Sequence, residues 1–238
     1  MTSGKTAFVA GASGAVGRVL CRLLVEDGWR VVGATRSAER ASGLRRLGVE
    51  PVVLDVFDRD ALVRAVGDAG PRVVVHQLTD LPRQFSPESM AEARARNARI
   101  REEGTANLVA AATAAGARRL VAQSIAFAYA PGPRPYAEEA PLERAAFAAV
   151  GKLEELVLGC GLEGVVLRYG RFYGPHTWHV APSGEAPLHV EAAADAARRA
   201  ATRGRPGIYN VAEEDGAVSC ARARAELGWS AGFRAAGR

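Results

Sequence analysis

The stretch TAFVAGASGAVG, residues 6–17, sets the strongest limit on what this chain can fold into. An apolar run of strand length (6–11) ends on Gly11. Gly14 and Gly17 follow at intervals of three, and a helical pattern (15–28) starts at once, with Val16, Val19, Leu20, Leu23 and Leu24 on one stripe and Gly28 as its stop signal. A strand that turns directly into a helix needs glycine where the backbone reverses, where another group comes close, and where helix meets strand. The start of such a helix offers unpaired N–H groups and a partial positive charge, a cradle for a pyrophosphate. The expected cradle is Gly11, Ser13, Gly14, Ala15, Val16 and Gly17, with the Ser13 hydroxyl as an added donor.

The same alternation continues along the chain. Short apolar runs predict strands at 29–35, 50–56, 72–78, 118–124, 163–170 and 206–212. Helical patterns fall at 38–48, 59–70, 87–115, 144–161, 189–204 and 220–229, and residues 131–143 read as a proline-rich loop. Fully apolar strands between helices imply a parallel sheet covered on both faces. Right-handed crossovers then give an α/β, doubly wound parallel sheet, the Rossmann arrangement. No repeat or linker interrupts it, so residues 1–238 are expected to form a single domain.

Charge and cysteine content narrow the function classes. The formal charge is +5, but arginines alternate with acids, as in EARARNARIREE, which is the pattern of a solvated helix face rather than a nucleic-acid patch. Cys21, Cys160 and Cys220 form no C-x-x-C pair, which suits a reducing compartment. No signal-peptide pattern opens the chain, and no apolar run reaches the ~18 residues that cross a membrane. His176 and His179 have no third ligand beside them, so no metal is expected. The expectation is a cytoplasmic protein acting on a small molecule, with no nucleic acid or membrane partner.

The end of the second strand selects the dinucleotide. An acidic residue there would bind the ribose 2′-hydroxyl of NAD. This chain has Ala34-Thr35-Arg36-Ser37. Arg36 can pair with a 2′-phosphate and stack on adenine, which favours NADP and leaves NAD open.

The G-x-x-G-x-x-G spacing, EGTANLVAAATAAGARRLVAQS (103–124), VVLRYGRFYGP (165–175), GIYNVA (207–212) and ARAELGW (223–229) together resemble the short-chain dehydrogenase/reductase superfamily. The closer resemblance is to its extended and atypical branch, the NAD-dependent epimerase/dehydratase family. That resemblance implies that Asp55 and Val56 meet adenine, that His76, Gln77 and Leu78 pass the dinucleotide, and that Gln123, Lys152, Tyr169, Gly170 and Arg171 complete the cofactor site. It implies that Ser124 orients a substrate oxygen and that Lys152 binds ribose and tunes a tyrosine proton donor. His76 is an alternative acid or base, or a packing residue beside the cofactor. A homodimer through the two long helices is also implied.

Two departures bear on catalysis. The tyrosine should precede Lys152 by one helical turn, where this chain has Ala148, and Arg101 replaces an asparagine three residues before Gly104-Thr105. Either another tyrosine substitutes (Tyr129 first, then Tyr136, Tyr169 or Tyr173), or the scaffold performs an epimerase-, isomerase- or dehydratase-like reaction, or it binds dinucleotide without catalysis. The leading expectation is an NAD(P)-dependent oxidoreductase acting on a carbonyl or alcohol of a small organic molecule. Arg171 either holds a substrate oxygen or pairs with Glu138 or Glu139. The connectors 176–191 and 212–219 are short, which predicts a much reduced C-terminal substrate lobe built from 171–191 and 206–238. His176, Trp178 and His179 would cap an open pocket suited to a flat or hydrophobic substrate.

Overall fold

A computed structural model describes residues 4–82, 84 and 86–235. Seven parallel strands form one sheet in the order β3-β2-β1-β4-β5-β6-β9. They are β1 (Thr6–Ala10), β2 (Arg30–Thr35), β3 (Glu50–Val53), β4 (Val73–His76), β5 (Arg119–Ile125), β6 (Glu163–Tyr169) and β9 (Gly207–Val211). Two short strands, β7 (Arg171–Tyr173) and β8 (Pro187–His189), pair with each other beyond the sheet. The strand order reverses between β1 and β4, where Ala10 and His76 are register partners at the C-terminal ends. In an open parallel sheet this switch point opens a crevice for a ligand.

Alternation along the strands divides the core in two. Ala7, Val9, Val31, Val75, Val121, Val165 and Leu167 face α1 (Ala15–Glu26) and α7 (Val190–Ala200). Phe8, Ala10, Val32, Val74, Leu120, Ala122 and Val166 face α3 (Arg59–Ala69), α5 (Thr105–Ala114) and α6 (Arg144–Leu158). Both faces are covered, which is why the strands read as continuous apolar runs instead of alternating ones. The remaining helices are α2 (Ala38–Arg46) and α4 (Pro87–Arg99).

Several boundaries differ from the sequence reading. The strand expected over 50–56 ends at Val53, because Asp55 folds back to accept the Phe57 amide at 3.0 Å and starts a turn. The helix expected over 87–115 is continuous, but a π-helical turn at Ile100–Gly104 joins α4 to α5. The closing helix expected over 220–229 has a π-helical turn at Ala223–Leu227, ended by Gly228 in the left-handed region. α6 bends at Phe147, whose φ is −130°. The short strands β7 and β8 lack the apolar length that signals a strand. They form where the chain leaves β6, with the Arg171 amide donating to the Ala186 carbonyl at 2.8 Å.

Side-chain ties fasten the far edge. Arg119, at the start of β5, donates to the carbonyls of Ala200, Arg203 and Gly204, completing the C-terminus of α7. Within α7, fully buried Asp195 accepts from Arg198 and Arg199. Trp229 donates to Ala192, so the chain end rests on the same helix. No helix among the described residues is long and apolar enough to cross a membrane.

The loop between β1 and α1 gives a paired stability prediction. A Cβ on Gly17 would lie 2.1 Å from the Gly11 carbonyl oxygen, backbone that cannot yield cheaply, whereas a Cβ on Gly67 in α3 meets nothing within 4 Å. Gly17→Ala should cost about 1–3 kcal/mol, as overpacking does. Gly67→Ala should gain about 0.5–1 kcal/mol, because alanine is the better helix former. Urea unfolding of the two variants tests the contrast, and equal effects would be inconsistent with this packing.

Candidate active site

Gly11 turns out of β1 with φ of +86°, and a Cβ there would stand 2.5 Å from the Gln77 carbonyl oxygen. The loop closes with the Gly14 amide on the Gly11 carbonyl at 3.1 Å. Gly14 is the N-cap of α1 and brings no capping side chain. Ser37, Asp58, Ser86, Glu143 and His189 all accept a first-turn amide at the starts of α2, α3, α4, α6 and α7. The leading amides of α1, on Ala15, Val16 and Gly17, therefore have no side-chain acceptor and stand at the mouth of the crevice. This fits an anion on the helix axis. Ser13 lies 2.9 Å from the Thr35 hydroxyl, which accepts the Ser37 amide, so the two strand ends share one polar link.

Arg36 leaves the end of β2 half exposed and reaches Asp80 at 3.5 Å. Arg96 of α4 reaches the same carboxylate at 3.5 Å, so two guanidiniums share one acid beside the expected ribose position. Val56 packs against Gly104, and its carbonyl accepts from Asn107 at 3.0 Å. Gln123 donates to the Leu78 carbonyl at 3.2 Å, joining the ends of β4 and β5.

His76 is not placed to shuttle protons. It is 1% exposed, and its Nδ1 accepts the Leu78 amide at 3.2 Å. Nε2 must then carry the hydrogen and donate to the Thr105 hydroxyl at 3.1 Å. Burial, and next the charge of Arg101, hold its pKa down to about 4. Beside it, Gln77 donates to the Tyr169 hydroxyl at 3.3 Å, while its buried Oε1 has no partner.

Ser124, Arg168 and Asn210 are neighbours in register across β5, β6 and β9. Their side chains join one buried network. Ser124 donates to Glu154 Oε1 at 2.7 Å, and Arg168 grips both oxygens of Glu154 at 2.9 and 2.7 Å. Arg168 also donates to the Tyr129 hydroxyl, which donates to Asn210 Oδ1 at 2.6 Å. The Asn210 amide is held by Glu138 Oε1 at 2.9 Å. Ser124 and Tyr129 thus have their protons committed inside the protein, and burial raises the Tyr129 phenol further.

The other tyrosines are similarly placed. Tyr169 donates to the Ala193 carbonyl, Tyr173 to Glu213 and Tyr209 to Glu226. Tyr136 alone shows only an accepted bond, from the Gly132 amide at 3.1 Å, and it stacks on Tyr129. Ala148 and Lys152 are both exposed, one turn apart on α6. Arg101, on the π-helical turn, is half buried and makes no hydrogen bond or ion pair among the described residues.

Beyond β5 and β6 lies an open groove of about 260 Å³, walled by Phe127, Tyr136, Arg134, Arg171, Glu185 and Val218 among others. Arg171 does not pair with Glu138 or Glu139, since Glu138 holds Asn210 and Glu139 pairs with Arg222. The loop from Gly174 to Ala186 ties His176 to Arg18 of α1 at 2.8 Å and Trp178 to the Pro82 carbonyl at 2.9 Å. No group of three or more His, Cys, Asp or Glu side chains that could hold a metal ion occurs among the described residues.

The partners of Glu154, Arg168, Asn210 and Asp80 were not anticipated from the sequence. Two of them carried a signal: Arg168 interrupts the apolar strand VVLRYG, and Glu154 lies beside the buried Val150, Leu153 and Val157 of α6. A lone charge on an apolar face asks for a buried partner.

His76 gives a pH prediction. Its folded pKa lies below the ordinary 6.5, so the unfolded chain takes up the proton first. Its stabilising contribution is complete above pH 6.5 and is lost as pH falls through 4, by about 3 kcal/mol at that point. Urea unfolding from pH 7 to 4, compared with His76→Asn, should show the extra loss only in the wild type. Parallel curves would contradict the assignment.

Comparison with known proteins agrees with this geometry. Residues 11–197 match the family model described as NAD(P)H-binding. The chain is 44% identical over 228 residues to a Streptomyces 3-diazoavenalumate denitrifying reductase, covering 92% of this chain and 71% of that protein. It is also 41% identical over 70 residues to a Gallus gallus D-erythrulose reductase, 29% of this chain and 28% of that one. In fold it superposes on Thermotoga maritima UDP-glucose 4-epimerase with a TM-score of 0.80 at 17% identity, covering 94% of this chain and 93% of that one. It also superposes on the NAD complex of Thermus thermophilus UDP-glucose 4-epimerase with a TM-score of 0.71 at 24% identity, over 89% and 78%. With a glycine cradle on an uncapped helix at the switch point of a seven-stranded parallel sheet, a fold shared with the two epimerases, this chain belongs to the NAD(P)H-binding family.

Proposed function

We propose that this chain is an NADPH-dependent reductase that replaces a diazo group by hydrogen on an unsaturated carbon, without drawing a proton from the protein. The observation that carries this reading is Ala148, a methyl group where a phenol would serve Lys152. The reading draws its substrate class from the Streptomyces relative, which is named as a denitrifying reductase of a diazo compound.

The chemistry removes the need for the missing acid. Reducing a carbonyl requires a hydride and a proton, and the proton donor is what the tyrosine provides. Reducing an arenediazonium requires the hydride only. A C–H bond forms, the C–N bond breaks, and its electron pair leaves with dinitrogen. The bound dinucleotide supplies the hydride.

The residues of the chain have complementary tasks. Ala15, Val16 and Gly17 present their amides to the pyrophosphate, with Gly11 and Gly14 allowing the close approach. Arg36 takes the 2′-phosphate, and Arg96, which shares Asp80 with it, adds to the positive field there. Lys152 holds the nicotinamide ribose, and the unpartnered Gln77 Oε1 is a buried acceptor at the nicotinamide end. Ser124 and Tyr129 act as positioning residues through Glu154 and Arg168 and do not touch the substrate. The methyl of Ala148 leaves room for the departing nitrogen. Residues 171–191 and 206–235 form the small substrate side of the molecule.

Two measurements test the reading. Arg36→Asp should raise the Kd for NADP at least tenfold more than that for NAD by calorimetry, since it replaces a charge-assisted contact by repulsion. An equal effect on both would remove Arg36 from the phosphate site. Incubation with an arenediazonium salt and NADPH deuterated at C4 should yield one arene and one dinitrogen per NADPH above the enzyme-free rate. The deuterium should sit on the ring. Turnover of ketones or aldehydes in place of the diazonium would overturn the proposal, as would binding of NADPH with no turnover of either.

A further inference from the structure

The groove beyond β5 and β6 has a charge pattern that selects among substrates. Two arginines and one glutamate line it. Arg134 is held by Glu185 through both nitrogens, at 2.7 and 3.0 Å, so that pair is neutral. The Arg171 guanidinium makes no hydrogen bond or ion pair among the described residues and lies over the Phe127 ring at 4.3 Å, near enough to Glu185 for its charge to help hold that carboxyl below its usual pKa. A guanidinium stacked on a ring keeps its N–H donors in its own plane and free at its edge, the geometry that grips a carboxylate with two parallel bonds. The groove therefore presents one uncommitted positive charge, held in place by an aromatic plate.

The walls add a shape. Phe127 is 36% exposed, an apolar ring that carries the Arg171 guanidinium over it and still shows part of its surface inside a concave wall. On the other side Tyr136 stacks on buried Tyr129 with centroids 5.0 Å apart. Val218 and Ala217 close the apolar side. Flat rings and small apolar groups favour a flat, unsaturated ligand. Phe127 follows the end of β5 by two residues, and Arg171 follows the end of β6 by two. Both therefore stand beyond the same strand ends that carry the network around Ser124.

We infer that this groove is the substrate-anchoring subsite and that it takes a planar aryl or conjugated monocarboxylate, the carboxylate on Arg171 and the ring against Phe127 and Tyr136. This rests on the reductase reading for its place in the reaction. A single acid matches the single free guanidinium. A second acid group would meet the Glu185 carboxylate, so dianions are selected against.

The test needs no turnover. Calorimetry on the full chain loaded with NADP+ compares cinnamate, its neutral methyl ester and the saturated cyclohexanecarboxylate. Cinnamate should bind about tenfold or more tighter than the ester, the worth of a hydrogen bond to a charged group. Cyclohexanecarboxylate should bind more weakly than cinnamate. Arg171→Gln should remove the acid-over-ester preference with unchanged thermal unfolding, because the side chain holds no internal bond. Glu185→Gln should enlarge the preference by releasing Arg134. No binding of cinnamate, equal binding of acid and ester, or a preference that survives Arg171→Gln would each overturn the inference. A chain that binds cinnamate through Arg171 but reduces no diazonium loses the proposed reaction and keeps the subsite. A chain that reduces the diazonium with no acid preference loses only the subsite.

Discussion

The pairing of Arg168 with Glu154 governs the layout of this molecule. Both side chains are nearly sealed from water, at 4% and 6% exposure. Two charges in such surroundings persist only when each hydrogen-bonding position is filled, and removing either partner would strand the other. Filling those positions recruits Ser124 from β5, Tyr129 and Glu138 from the loop beyond it, and through Tyr129 the side chain of Asn210 on β9. One ion pair thus fixes three adjacent strands, the bent helix α6 and the proline-rich loop relative to one another.

That arrangement separates the polar groups near the site into two sets. Groups on the sheet side are satisfied internally and give order. Two cations have little internal claim on them, Lys152, exposed on α6, and Arg171, in the groove beyond β5 and β6. Uncommitted cations attract anions and are a poor source of protons. The chemistry proposed above follows from that imbalance as much as from any single substitution.

The parallel sheet and the glycine cradle were legible because each rests on a local pattern: apolar runs of strand length, glycines at fixed intervals, and a helix starting at once. The site was legible only in part. Ser124 stands at the end of β5, where the resemblance puts the serine, and Tyr129, the candidate substitute for the missing tyrosine, in the loop beyond it, yet their hydroxyls turn into the network, because Glu154 and Arg168 meet across β6 and α6 through contacts no window of sequence contains. Arg171 was seen as a candidate ligand or a salt-bridge partner, and only the three-dimensional assignment of Glu138 and Glu139 to other partners separates these. β7 and β8 were invisible, since three residues pairing at a crossing carry no periodicity. Asp55 read as strand because its neighbours are apolar, while its own carboxylate terminates the strand.

The segment between Gly174 and Ala186 is fastened to separate parts of the molecule, His176 to Arg18 on α1, Trp178 to Pro82 beyond β4 and Glu185 to Arg134. It is a bridge with several abutments, not a flap with one hinge. The groove lined by Arg171 and Glu185 is open to solvent. With the segment tied at separate places, moving it aside means breaking bonds such as Arg18 to His176 and Trp178 to Pro82.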